Sequence, residues 1–111
     1  MPHPICITNH AAERAVERHD YPSVDHARIR LRTRFRQSIK VPWRHARHLL
    51  GNGDWKSHRS NQADIRVAGP CLLVCRGKTV ITTWRLGSDE LATVARWILT
   101  GAWVVEQTPW A

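Results

Sequence analysis

The sequence predicts an α+β protein in which N-terminal helices pack on one face of an antiparallel sheet of three or four strands, followed by a C-terminal helix. Three observations lead to this prediction. Residues 8–50 contain helix caps and apolar residues at helical spacing. Residues 63–86 are rich in β-branched and apolar residues and are divided by two short turns, as in a meander. Residues 88–99 return to helical spacing behind an acidic first turn.

The first predicted helix, Thr8 to Arg18, places His10, Arg14 and Arg18 in one row, because residues four apart stack on one helix face. The other side of the helix, which carries Ala12, Ala15, Val16 and His19, can pack against a core. An imidazole can move a proton near neutral pH, and guanidinium groups can hold a phosphate. The row therefore suits phosphodiester chemistry. The alternative is a solvated helix face whose arginines pair with nearby glutamates.

The segment from Val24 to Ile39 fits two periods. Its middle alternates between arginine and other residues, as in a half-buried strand, yet its apolar positions also follow helical spacing behind a cap at Ser23. The cap favours a helix. Such a helix carries one arginine ridge, with Arg30 and Arg34 beside it, and the ridge residues are Arg28, Arg32 and Arg36. Taken alone the ridge is a solvated face, but with the overall charge it is a candidate track for an RNA backbone.

A short third helix is predicted to follow Pro42, from Trp43 to Leu50, and the sheet is predicted after it. Three strands are expected at 63–67, 71–75 and 79–86, with residues 55–59 as a fourth, edge strand. Strand alternation puts Asp64 and Arg66 on one face of the first of these strands. The same rule predicts that one face of the last strand carries Val80, Thr82, Trp84 and Leu86.

The charge is positive and unevenly distributed. The 111 residues, enough for one domain, hold 17 Lys and Arg against 9 Asp and Glu, a net charge of +8. Residues 1–50 contribute ten minus four, or +6, and residues 51–111 contribute seven minus five, or +2. A basic half indicates a polyanionic partner, most often nucleic acid, although an acidic protein or a membrane surface also fits.

Composition also bears on the location of the protein, the state of its cysteines and the presence of a metal or cofactor. No apolar run approaches the roughly 20 residues of a membrane span, and no secretory signal is evident, so a cytoplasmic protein is expected. Three cysteines are a poor basis for a disulfide framework, and Cys71 and Cys75 are expected to be buried free thiols. We expect no metal site and no cofactor, because no compact set of four ligands is apparent.

A short motif resembles a known superfamily. The run His10-Ala11-x-x-Arg14-x-x-x-Arg18, followed later by Asp64-Ile-Arg66-Val, an apolar strand and Val80-Ile-Thr82-Thr-Trp-Arg, is similar to small bacterial and phage proteins of the barnase–EndoU–colicin–RelE (BECR) ribonuclease-like superfamily. The likeness is to a group that opens with a His-Ala-x-x-Arg helix and covers residues 5–86. It implies a single ribonuclease-like domain over 1–111, with 87–111 as a C-terminal helical addition.

The resemblance implies a metal-independent endoribonuclease, as in a toxin or a phage effector, that cleaves RNA by attack of the 2′-hydroxyl. His10 would then be the acid or base, Arg14 would bind phosphate and Thr82 would orient the scissile phosphate. The predicted RNA-binding residues are Arg18, Arg28, Arg32, Arg36, His58 and Arg66.

The resemblance and the charge together leave the partners open. The expected partners are RNA, such as tRNA or mRNA, and an antitoxin or immunity protein. Many members of the superfamily lack activity, so the alternatives are a basic protein that blocks a host protein or nucleoprotein complex, or a small DNA- or RNA-binding regulator.

Overall fold

The computed structural model describes residues 4–50, 56, 58 and 61–100, and the elements whose bounds it defines are four helices and a mixed sheet of five strands. The helices are α1 (Asn9–His19), α2 (Val24–Gln37), α3 (Trp43–Leu49) and α4 (Ser88–Leu99). The strands are β1 (Cys6–Ile7), β2 (Ile39–Val41), β3 (Asp64–Ala68), β4 (Cys71–Arg76) and β5 (Thr79–Arg85). Across the described residues, every helix is too short or too polar to cross a membrane.

The α+β class and the antiparallel meander β3–β4–β5 are confirmed, but the sheet is larger than predicted. Its order is β1-β5-β4-β3-β2, with β1 parallel to β5 and β2 antiparallel to β3. Two- and three-residue strands are too short for their periodicity to be read from sequence. The edge strand expected at 55–59 is wrong at its two described residues, Lys56 and His58, which are helical. The remaining positions of that segment lie outside the described residues.

Residues 24–37 are a helix, as the cap at Ser23 favoured. The Ser23 side chain accepts a hydrogen bond from the backbone N–H of His26 at 3.1 Å. Thr8 plays the same part for α1, accepting from the N–H of Ala11 at 3.0 Å. The Thr8 hydroxyl also donates to the carbonyl of Ile81 at 3.0 Å, so the start of α1 is tied directly to β5.

Helices cover both faces of the sheet, so the prediction that they lie on one face is wrong. Side chains of β4 alternate between two cores, because successive strand residues point to opposite faces. Cys71, Leu73 and Cys75 pack with α1 and α2, whereas Leu72 and Val74 pack on the opposite side with α3 and α4. The predicted C-terminal addition therefore includes a helix, α4, that covers core surface. Residues 101–111 of the predicted addition lie outside the described part of the chain.

A β-bulge in β5 changes which face its residues occupy. Val80 pairs with Cys75 and Thr82 pairs with Val74, so Ile81 is an extra residue in β5. The bulge places Val80 on the face of α1 and α2, and Thr82 on the face of α3 and α4. The expectation that Val80 and Thr82 share one face is therefore wrong, because strict alternation does not hold across the bulge.

Candidate nucleic-acid interface

The arginines of α2 form two rows that flank its buried apolar stripe. The helix has 14 residues, of which five are arginine, and it buries Ala27 and Leu31 completely. At about 100° per residue, Arg28 and Arg32 lie on one side of this stripe and Arg30 and Arg34 on the other. Arg36 is exposed and, at the same spacing, falls on the side of α2 opposite the buried stripe. We call these five residues the arginine surface.

The first row, Arg28 and Arg32, is hydrogen-bonded to uncharged oxygen atoms of residues 5–9. Arg28 donates to the carbonyl oxygen of Ile7 and to Oδ1 of Asn9. Arg32 donates from Nε to the carbonyl oxygen of Ile5 at 3.2 Å. Carbonyl and amide oxygens satisfy N–H donors without supplying a negative charge, so neither guanidinium group is in an ion pair through these contacts.

The second row borders the turn between β3 and β4. A guanidinium nitrogen of Arg34 lies 3.0 Å from the position that a Cβ on Gly69 would take, and Gly69 has φ +55°. The left-handed conformation favours glycine at this position. Arg30, one turn earlier, is exposed.

The row predicted on α1 is divided among separate partners. His10 is exposed in the first turn, and Arg14 forms an ion pair with Glu17 at 2.5 Å. Arg18 donates to the carbonyl of Thr83 at 2.8 Å, and its guanidinium lies 3.6 Å from the centroid of the Trp84 ring. Helix spacing correctly placed all three residues on α1, but it could not show these contacts.

Thr82 does not join His10 in the structure. It is buried, with 6% of its surface exposed, on the face of α3 and α4, so the sheet separates it from α1 and α2. His10 instead lies next to Asn9, to which Arg28 is hydrogen-bonded. The exposed His10 and the buried Thr82 therefore lie on different sides of the sheet and do not form one site.

The other two predicted RNA-binding residues lie at separate places. His58 lines an open cleft of about 440 Å³, together with Arg76, Thr79 and Ile81. Arg66 shares a face of β3 with Asp64, as predicted, and lies under the end of α2. It donates to Oγ of Ser38 at 2.6 Å and lies 4.9 Å from the Phe35 ring centroid. Arg66 therefore joins the sheet to the end of α2.

A buried polar cluster at the C-terminal end of α1 was not predicted as a site. The Thr83 hydroxyl donates to the carbonyl of Leu72 at 2.9 Å, so it accepts from Nε2–H of His19, also at 2.9 Å. Nδ1 of His19 then carries the lone pair, and it lies 3.7 Å from Sγ of Cys71. The Tyr21 hydroxyl lies 3.9 Å from the same sulfur. Helical spacing put His19 on the core side, but only the fold brings Thr83 to it.

Burial keeps this cluster neutral. Burial, followed by the positive charges of Arg85, Arg34 and Arg18, lowers the pKa of His19 to about 4. Burial also raises the pKa of Cys71, and it raises that of Cys75 to about 12. Both are buried free thiols, as predicted. The pair of Cys71 and His19 is consequently a thiol beside a neutral imidazole, not a reactive thiolate beside an imidazolium.

Protonation of His19 predicts a loss of stability in mild acid. The folded state holds this imidazole neutral down to about pH 4, whereas the unfolded chain protonates near pH 6.5. The stabilising contribution is complete above pH 6.5 and is lost as the pH falls towards 4, by up to about 3 kcal/mol. Urea unfolding at pH 7.0, 5.5 and 4.5 measures the loss. His19→Gln should show a smaller decrease over this range, and an equal decrease in both proteins would contradict the assignment.

Comparisons of the chain with protein-family models, with curated proteins and with solved structures found no match.

Proposed function

We propose that the chain is an RNA-binding protein that holds the phosphate backbone of RNA with the arginine surface. The observation that supports this most strongly is the number of positive charges on α2, five arginines against the single carboxylate of Asp25. The hydrogen-bond partners of Arg28 and Arg32 are neutral oxygens, so no carboxylate in these contacts offsets the two positive charges. Both charges can therefore attract the phosphates of a bound RNA. Guanidinium groups also match phosphate oxygens by forked hydrogen bonds.

Contacts of this kind supply affinity and not sequence choice, because phosphates are the same at every nucleotide. The proposal therefore predicts binding that depends strongly on salt and weakly on sequence. Each phosphate that a protein contacts releases counterions, and the logarithm of the affinity falls linearly with the logarithm of the salt concentration.

Fluorescence anisotropy of labelled RNA tests the proposal. Affinity is measured between 50 and 300 mM KCl. Polyglutamate, which is negatively charged like RNA, serves as the competitor. The expected result is a linear fall with a slope that corresponds to several phosphate contacts, and weak competition by polyglutamate. Absence of RNA binding at 50 mM KCl would refute the proposal, and equal competition by polyglutamate would favour an acidic protein as the partner.

A second candidate function, metal-independent RNA cleavage, is favoured by the position of His10. Its imidazole is exposed one residue beyond Asn9, the partner of Arg28. A guanidinium has five N–H donors, so the two hydrogen bonds of Arg28 leave others for a phosphate. In this proposal His10 removes the 2′-hydroxyl proton, the 2′-oxygen attacks phosphorus, and the 5′-oxygen leaves with a proton from water, giving a 2′,3′-cyclic phosphate.

The chemistry of the RNA ends tests this second candidate. Total RNA and tRNA are incubated with the protein in EDTA, and the fragments are examined for 2′,3′-cyclic phosphate. Such ends would support cleavage by 2′-hydroxyl attack. Intact RNA, with salt-dependent binding retained, would leave RNA binding as the function and exclude the nuclease.

A further inference from the structure

The end of the sheet near the C-terminus of α1 combines positive charge with exposed aromatic surface. Its centre is Cys71, at the start of β4. Arg85 is the direct cross-strand partner of Cys71, so the two side chains lie on the same face. The Tyr21 hydroxyl lies within hydrogen-bonding distance of the Cys71 sulfur. Arg34 lies against Gly69, which precedes Cys71 by two residues.

Two guanidinium groups, those of Arg34 and Arg85, therefore lie near Cys71, whose sulfur contacts the hydroxyl of half-buried Tyr21. Arg34 lies within reach of Tyr21, where its charge stabilises the phenolate form and works against the rise in pKa that burial causes. The Nε atom of Arg34 is buried and has no hydrogen-bond partner among the described residues. A buried N–H donor without a partner is costly, so the described residues leave the hydrogen-bonding capacity of Arg34 incompletely satisfied. The nearby carboxylate of Asp20 is exposed and acts in the opposite direction on His19.

The aromatic rings at this end form a short row. The ring centroids of His19 and Tyr21 are 5.7 Å apart, and those of Tyr21 and His26 are also 5.7 Å apart. His19 is buried and His26 is exposed, so the row runs from the core to the surface, with Tyr21 half-buried between them. Aromatic side chains beside basic side chains are typical of single-stranded nucleic-acid binding, because each unpaired base can stack on a ring.

We propose that this end of the sheet binds an unpaired nucleotide of RNA, with its base against Tyr21 and its phosphate between Arg34 and Arg85. This inference rests on the proposed RNA binding and adds a preference to it. The arginine surface contacts phosphates, which single-stranded and duplex RNA both carry, whereas a stacking site accepts only a base that is free of its pair.

Affinities for a labelled ten-nucleotide single strand and for a ten-base-pair duplex, measured at the same salt concentration, test the inference. Tyr21→Ala is expected to weaken binding of the single strand about fivefold or more, with little change for the duplex. Tyr21→Phe retains the ring and is expected to bind the single strand like the unchanged protein. Circular dichroism and thermal unfolding show whether each variant is folded.

Arg85→Gln provides a second, independent measurement. Arg85 is exposed. Its replacement is expected to make the fall of log affinity with log salt less steep for the single strand, by about 0.7 in slope. Equal losses for single strand and duplex in Tyr21→Ala, or no loss in a folded variant, would overturn the inference. The nucleotide site would be supported, and the arginine surface refuted, if Tyr21→Ala lost affinity for the single strand alone while variants at Arg30 and Arg36 bound RNA normally. A chain that binds neither RNA would overturn both proposals.

Discussion

Replacing Arg30 and Arg36 together by Gln is expected to lower the affinity for RNA on the order of a hundredfold at 0.1 M salt, about tenfold for each lost phosphate contact. Both side chains are exposed on α2, and glutamine keeps a long side chain with good helix propensity. The slope of log affinity against log salt should fall by about 0.7 to 0.9 per arginine. Anisotropy titrations at several salt concentrations measure both quantities.

A matched pair on the opposite side of the sheet controls for net charge. Arg47 on α3 and Arg96 on α4 are exposed, and their replacement by Gln removes the same two charges. This control is expected to change affinity by less than about threefold, because exposed charges separated by more than a Debye length of about 10 Å are largely screened at 0.1 M salt. Equal losses in the two double variants would mean that net charge, and not the arginine surface, determines binding.

Under the proposed cleavage function, His10→Ala is expected to lower the rate of RNA cleavage about 10²- to 10⁴-fold, the usual contribution of a general acid or base. RNA affinity should remain within about threefold of the unchanged protein, because the proposed phosphate contacts are made by arginines, which this variant retains. Single-turnover cleavage of a labelled RNA in EDTA gives the rate, and anisotropy gives the affinity. The split between rate and affinity separates a proton-transfer role from a purely binding role.

His48→Ala is the matched control for this variant. His48 is also exposed, but it lies on α3, beside the Trp97 ring, on the other side of the sheet. Its replacement is expected to leave cleavage unchanged. Cleavage that is equal in the unchanged protein and in His10→Ala would remove His10 from the reaction and would point to a contaminating nuclease or to another site.

Local signals in the sequence predicted the elements that are long enough to show a period. The cap at Ser23, the apolar run of β4 and the stripe of α4 each follow from contacts within a few residues. The strands β1 and β2 depend on neighbours that are distant in the chain, β5 and β3, and are too short to carry a pattern of their own.

The arrangement of side chains around the sheet was less predictable. The bulge at Ile81 breaks the alternation that grouped Val80 with Thr82, and no residue type marks a bulge in advance. The two-sided core likewise depends on α3 and α4 returning to the face that α1 and α2 leave uncovered.

The candidate interface was partly visible in the sequence. The arginines of α2 followed from spacing alone, once the helix was chosen over the strand. Their hydrogen bonds to residues 5–9 did not, because these join segments separated by about 20 residues or more in the chain. The cluster of His19 and Thr83 joins residues 64 positions apart, so only the folded chain reveals it.

Nuclear magnetic resonance of the ¹⁵N-labelled protein, titrated with a short RNA, tests most directly whether the arginine surface is where RNA binds. The Nε–Hε signals of Arg28 to Arg36 and the backbone amides of α2 are expected to shift most, together with those at the start of α1. Amides of α3 and α4 should change little. The largest shifts on α3 and α4, with α2 unaffected, would contradict the account and place any RNA interface on the opposite face of the sheet.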